Sequence, residues 1–239
     1  LIWKYKIFSL IYFLPLLKLI TLTIFYRLAI DIKFKFFFNK FSDIAIFFKK
    51  LSPFIFLSVM TVLYNRIDIF FIEYFGNYTD VGLFNSVTRI TWPSLIISNA
   101  ILFYFYPIFS GHALQAVKKE FLLSLKLSFF GGVFVFIILN LFAGIYASIF
   151  NLPQEVISYI FISSTSIFLI YIYSSLTIYL TANNAIKALL KIYLIAFIIN
   201  CLLNTILVPL YGITGALVAT LFSEIILLAI ICIYFRYNT

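Results

Sequence analysis

The residues of this chain that could do chemistry are few, and nearly all of them interrupt apolar runs. Lys18 stands inside the run 7–28, and Arg66 and Asp68 stand inside Tyr64-Asn65-Arg66-Ile67-Asp68. Asn85 and Arg89 sit four apart in the next run, and Glu224 lies near the end of the chain. A charge at bilayer depth costs about 2.5–3.5 kcal/mol on insertion scales, so each of these needs a partner, a polar cavity or a function. At 1.5 Å per residue, Lys18 lies roughly 16 Å and Glu224 roughly 18 Å from the outer ends of their runs, close to mid-depth. The runs holding Arg66 and Arg89 form a hairpin whose turn centres on Gly76 to Tyr78. Counting from that turn puts Arg66 level with Arg89, and Asp68 about one helical step nearer the outer surface. Two chemistries fit this pattern. In one, Asp68 between two arginines is a salt bridge that only fixes helix packing. In the other, the arginines form a cationic wall with one net positive charge, facing a cavity and an anionic ligand, with Asn85 on the same face as Arg89. Lys18 favours the wall because no nearby acid in its own run neutralises it; a partner elsewhere in a longer protein is the competing explanation.

Those positions matter because of what surrounds them. The 239 residues are 64% hydrophobic, 21% aromatic and only 10% charged, with a mean hydropathy of +1.14. Soluble domains are about 45–50% apolar and about 25% charged. So few charges cannot cover a soluble surface, which excludes a cytosolic enzyme. The apolar content excludes disorder, and two cysteines exclude a disulfide scaffold. An all-α polytopic membrane protein remains. A span needs about 20 apolar residues, and such runs fall at about 7–28, 53–75, 81–106, 121–148, 155–180, 188–209 and 212–235, predicting seven helices. The breaks carry turn chemistry: Gly76-Asn77, Ser110-Gly111, Asn151-Leu152-Pro153, Asn183-Asn184 and Pro209-Leu210-Tyr211-Gly212. The runs are continuous rather than alternating, which argues against a β-barrel. The chain opens on Leu1 with no secretory pattern, so part of a longer protein is expected.

Charge sets the orientation. Twelve of the 17 Lys and Arg fall on one side, among them Lys33, Lys35, Lys40, Lys49, Lys50 and Arg236; Lys4 and Lys6 fall on the other, and Lys18, Arg66 and Arg89 within spans. The positive-inside rule then puts the 31–51 segment and the C-terminus in the cytoplasm. The net charge of +9 is thus mostly topological, and nucleic acid is not an expected partner.

The other polar groups read as packing. Asn200 and Asn204, four apart beside Thr205, and the hydroxyls of Ser163, Ser164, Thr165, Ser166, Ser174, Ser175 and Thr177 must find partners in hydrocarbon. Gly212-x-x-x-Ala216-x-x-x-Thr220 and Gly215-x-x-x-Ala219 form a small-residue seam for close helix contact. Pro15, Pro93 and Pro107 are placed to kink or end spans. His112 is a loop residue, and Cys201 and Cys232 are apolar fillers. No metal cluster, nucleophile elbow or phosphate-binding glycine loop is present in the sequence, so no catalytic residue, metal or cofactor is expected.

The stretch Leu51-Ser-Pro-Phe…Leu63-Tyr-Asn-Arg-Ile-Asp68-Ile-Phe-Phe-Ile, followed by Val81-Gly-Leu-Phe-Asn-Ser-Val-Thr-Arg89-Ile, resembles the polysaccharide flippases. These are the O-antigen and capsule repeat-unit exporters of the multidrug/oligosaccharidyl-lipid/polysaccharide superfamily. The likeness continues through Tyr106-Pro107 and ends in Val208-Pro-Leu-Tyr-Gly-Ile-Thr-Gly-Ala-Leu-Val-Ala-Thr-Leu-Phe-Ser-Glu224, similar to the family's final helix. It implies two six-helix lobes: residues 1–30 would be the last span of the first lobe, 31–52 the cytoplasmic inter-lobe loop, and 53–239 the second lobe. Five further spans of the first lobe would precede Leu1. The implied function is translocation of a polyprenyl-pyrophosphate-linked oligosaccharide repeat unit across the inner membrane for surface polysaccharide synthesis, without enzymatic activity. Lys18, Arg66, Arg89 and Asn85 would face the phosphate or sugar, and Asp68 and Glu224 would balance charge or couple an ion. Expected partners are the lipid-linked oligosaccharide, the bilayer, the missing lobe and a polysaccharide polymerase. The alternatives are a multidrug cation antiporter of the same superfamily, which would want an acidic cavity, and a non-catalytic scaffold or a polymerase of polysaccharide assembly. A polymerase would need a long outer loop.

Overall fold

The computed structural model describes residues 19–23, 27 and 41–238; Lys18, residues 31–40 and most of the expected 7–28 span lie outside them. The chain divides into two compact units, Leu1–Lys50 and Leu51–Thr239. In the first, residues 19–23 are helical and Thr23 Oγ1 donates back to the Leu19 carbonyl at 2.7 Å.

Every regular element among the described residues is helical, and none is a strand. Helix α1 runs Phe41–Phe75, its stretch from Leu51 belonging to the second unit. Residues 41–52 are therefore helical where a loop was expected. Nothing between Phe41 and Ser52 breaks a helix, since Gly and Pro are both absent there; Lys49 and Lys50 mark polarity, not an irregular backbone. Asn77 caps α2 (Tyr78–Thr91), its Oδ1 accepting the Asp80 amide at 2.9 Å. The expected 81–106 span is broken by a 3₁₀ turn, Trp92–Ser94, before α3 (Leu95–Phe109). Pro93 is the cause, for it has no N–H to offer the ladder and its ring crowds the preceding turn. The 121–148 run likewise divides, into α4 (Lys118–Leu141) and α5 (Ala143–Ile149), at Phe142 with φ −96° and ψ 2°. Then come α6 (Val156–Ala182) and α7 (Ile186–Asn238).

Helix α7 is two arms. At Gly212 the backbone takes φ 57° and ψ −129°, a conformation glycine reaches without a Cβ clash. Asn204 and Thr220 would stand roughly 24 Å apart on a straight helix. Instead both bond to one carboxylate, that of Asp68, at 2.7 Å each. The arms 186–211 and 213–238 must therefore fold back on one another. Their contact is close: a Cβ at Gly215 would collide with the Leu207 carbonyl oxygen, and Ala216 and Ala219 are fully buried. The small-residue seam expected from the sequence is this contact.

Among the described residues, five helices are long and apolar enough to cross a membrane: Leu51–Phe75, Tyr78–Phe109, Lys118–Leu141, Val156–Ala182 and Ile186–Tyr237. The sequence reading has seven runs because it counts the first, mostly outside the described residues, and counts the two arms of α7 separately.

Helix α6 is the hub, packing against α2, α3, α4, α5 and α7. Its buried serines let the backbones come close and bond across: Ser175 with Ser128 at 3.0 Å, Ser164 with Asn140 at 2.9 Å, Ser163 with Thr91 at 2.9 Å. Gly132 of α4 has room for no Cβ, since the Tyr171 and Phe168 side chains press on it. The α1 backbone stands further off and is tied in through side chains, Tyr64 in one buried cluster and Ile72 in another. That looser seating leaves room between α1, the 3₁₀ turn, α6 and α7, and the polar residues gather there.

Candidate functional site

The sequence-selected residues of the bundle separate into two groups, on two faces of α1. Asp68 and Glu224 point inward and are buried, at 4% and 1% exposure. Asp68 Oδ1 accepts from Asn204 Nδ2 and Oδ2 from Thr220 Oγ1, both at 2.7 Å. Asn204 Nδ2 also reaches the Asn200 carbonyl and Oδ1 at 3.0 Å. Glu224 Oε2 accepts from the Tyr173 hydroxyl at 2.7 Å. No ion pair joins either acid to a cation among the described residues. The register explains the meeting: Asp68 lies eight residues before Gly76, Asn204 eight before Gly212 and Thr220 eight after it. All three stand roughly 12 Å from their turns, in one layer.

Arg66 and Arg89 point the other way and are exposed. With Asn85, Thr88, Trp92 and Pro93 they line one open groove of about 430 Å³. The guanidinium of Arg66 sits 5.7 Å from the Trp92 ring centroid, within cation–π range. The salt-bridge arrangement of Asp68 between two arginines is absent. Two residues along a helix is about 200°, so Arg66 and Asp68 emerge on opposite faces, and the similar depths inferred from the turn do not make them neighbours. Ser86, Ile90, Phe150 and Leu152 line a second hollow on the far side of Arg89, of about 410 Å³.

Between the two groups lies a pocket of about 320 Å³ reaching from Asn99 to Glu224. Three buried polar atoms around the acids have no hydrogen-bond partner: the Tyr64 hydroxyl, Asn200 Nδ2 and Asn204 Oδ1. Buried polar groups are almost always satisfied; of these three, only the Tyr64 hydroxyl belongs to a residue lining this pocket. Tyr64, Tyr193 and Tyr173 surround Glu224 there, with the Tyr64 and Tyr193 rings at 6.5 Å and nearly perpendicular.

Sequence reasoning passed over Trp92, Tyr64, Tyr173 and Asn99. Two of them carried a signal. Trp92 is three residues after Arg89 and Tyr64 four before Asp68, helical spacings that place each on its neighbour's face. Asn204 and Thr220, read as packing, hold Asp68, and Asn200 holds Asn204. His112 is a loop residue as expected, its Nδ1 3.0 Å from the Ser110 carbonyl.

The chain matches no family model, no curated protein and no solved structure.

Proposed function

We propose that this chain is the C-terminal portion of a membrane transporter that moves a polyprenyl-pyrophosphate-linked oligosaccharide repeat unit to the outer leaflet for surface polysaccharide assembly. The observation that carries the reading is the exposed groove of Arg66, Asn85 and Arg89 on an otherwise apolar bundle. Counted from the Gly76-Asn77 turn, Arg66 and Arg89 stand roughly 15 and 18 Å deep, half the thickness of a bilayer core of about 30 Å. Neither guanidinium can face lipid tails at that depth without a cost of about 2.5–3.5 kcal/mol. A water-filled path relieves that cost, and a pyrophosphate on it would meet two planar forks able to grip its oxygens in pairs. In this reading the arms of α7 are separate spans, residues 53–239 form six spans, and a preceding lobe closes the other wall of the path. The two lobes rock about the site in alternating access. The 31–52 segment and the C-terminus are cytoplasmic, in the inner membrane. Lys18 is a further phosphate-facing cation contributed by the preceding span.

The buried acids favour a second role within the same machine. Asp68 and Glu224, held by Asn, Thr and Tyr and paired with no described cation, suit the coupling of transport to an ion. They also keep the multidrug cation antiporter as the competing reading, in which the acids bind the cargo.

Export of surface polysaccharide tests the choice, in a flippase-deficient strain carrying the complete protein. Arg66→Ala/Arg89→Ala should abolish export while membrane abundance stays near normal, and Arg89→Lys should rescue poorly because a point charge lacks the planar fork. Near-normal export by the double variant would remove the pyrophosphate reading. Loss of resistance to cationic drugs in place of polysaccharide would establish the antiporter.

A further inference from the structure

The pocket beside Trp92 is not explained by phosphate binding. Of its fourteen lining residues, ten carry a hydroxyl, amide or carboxylate, with Trp92, Leu95, Leu102 and Ile170 as the apolar remainder. The groups are of mixed sense. Glu224 accepts, the Tyr64 hydroxyl is buried in the same wall, and Thr177 spends its proton on the Ser174 carbonyl at 2.8 Å, leaving its lone pairs free. The amides of Asn65 and Asn99 each offer a donor and an acceptor. An anion would be repelled by Glu224, and a simple cation has no use for amide and phenol donors. A ring of hydroxyls, each donating and accepting, matches both, and an indole face suits the C–H side of such a ring. At about 320 Å³ the space is at the lower end of small-ligand pockets.

We propose that this pocket is a carbohydrate subsite for a neutral hexose unit, bounded by Trp92, with Tyr64, Asn65, Asn99 and Glu224 as its polar contacts. The inference rests on the transport reading above and adds to it. Trp92 belongs to the wall of the arginine groove and to the wall of this pocket, so the two adjoin at that side chain. A sugar joined directly to a pyrophosphate needs its two subsites that close. The carboxylate of Glu224 selects against acidic sugars, because a uronic acid would bring a second carboxylate beside a buried one.

Saturation-transfer NMR on the complete protein in nanodiscs tests this, with methyl β-glucoside, methyl β-glucuronide and tetraethylammonium as probes and inorganic pyrophosphate followed by phosphorus line broadening. The glucoside should bind and the glucuronide should not. Glu224→Gln should weaken the glucoside about tenfold or more, as for a hydrogen bond to a charged group, and Asn99→Ala, at an exposed site, about threefold. Pyrophosphate should bind equally to both variants and lose its binding only in Arg66→Ala/Arg89→Ala. Glucoside affinity unchanged in both variants, or tetraethylammonium in place of glucoside, overturns the sugar subsite while arginine-dependent pyrophosphate binding leaves the transport reading standing. Pyrophosphate binding that survives the double arginine change defeats the transport reading itself.

Discussion

Asp68→Ala separates the observed hydrogen-bond cluster from the salt bridge that the sequence permits. The Asp68 carboxylate takes one bond from Asn204 and one from Thr220, each 2.7 Å long and buried. Side-chain hydrogen bonds in membrane proteins are worth about 0.6 kcal/mol on average and up to about 1.7. Losing two therefore costs about 1–3 kcal/mol, or roughly 2–12 °C in melting temperature at about 2–4 °C per kcal/mol for a chain of this size. Arg89 is exposed on another face and makes no ion pair with Asp68. In a double-mutant cycle, Asp68→Ala and Arg89→Ala should therefore add to within about 0.3–0.5 kcal/mol. Asp68→Ala and Thr220→Val should not add, and their coupling should fall near the value of one membrane hydrogen bond, about 0.6–1.7 kcal/mol. The assay is thermal unfolding of the purified complete protein in detergent, read as loss of the monodisperse peak on size exclusion. A buried ion pair behaves differently, since removing one partner costs about 3–5 kcal/mol. A coupling of about 2 kcal/mol or more between Asp68 and Arg89, with none between Asp68 and Thr220, would refute the assignment.

The fold-back at Gly212 makes Gly215→Ala harmful: the obstacle is the Leu207 carbonyl, backbone that cannot swing away, so the loss should reach the upper part of the usual overpacking range of about 1–3 kcal/mol. Gly82→Ala, where the added methyl meets open space, should be neutral or stabilising by up to about 1 kcal/mol, and equal melting of the two variants would mean that the arms do not touch at Gly215. Orientation is checked by single cysteines at Asn77, Asn151 and Tyr211 in a background with Cys201 and Cys232 replaced by alanine. All three should react with an impermeant reagent from outside, and labelling of any two only from the cytoplasmic face would invert the topology.

The class of the protein was legible in the sequence because it depends on quantities that need no geometry. Ten per cent charge and runs of spanning length already require helices in an apolar solvent. Helix ends were legible where a side chain acts on its own backbone, as at Asn77 and Pro93, and Gly212 marked the break between arms because a residue without a Cβ reaches positive φ. Depth was legible too, since rise per residue is constant; the layer of Asp68, Asn204 and Thr220 follows from equal counts to their turns. Direction around a helix depends on where its neighbours stand. Arg66 and Asp68 differ in depth by only about 3 Å and diverge in azimuth, so only the packing of α1 against α7 decided that the acid turns inward to Asn204 and Thr220 while the arginine turns out to Trp92 and Arg89. The pocket between them was equally beyond the sequence. It exists because α1 stands off from α6 while serines draw the other helices in, and such a gap is a property of several helices at once, written in none of them singly.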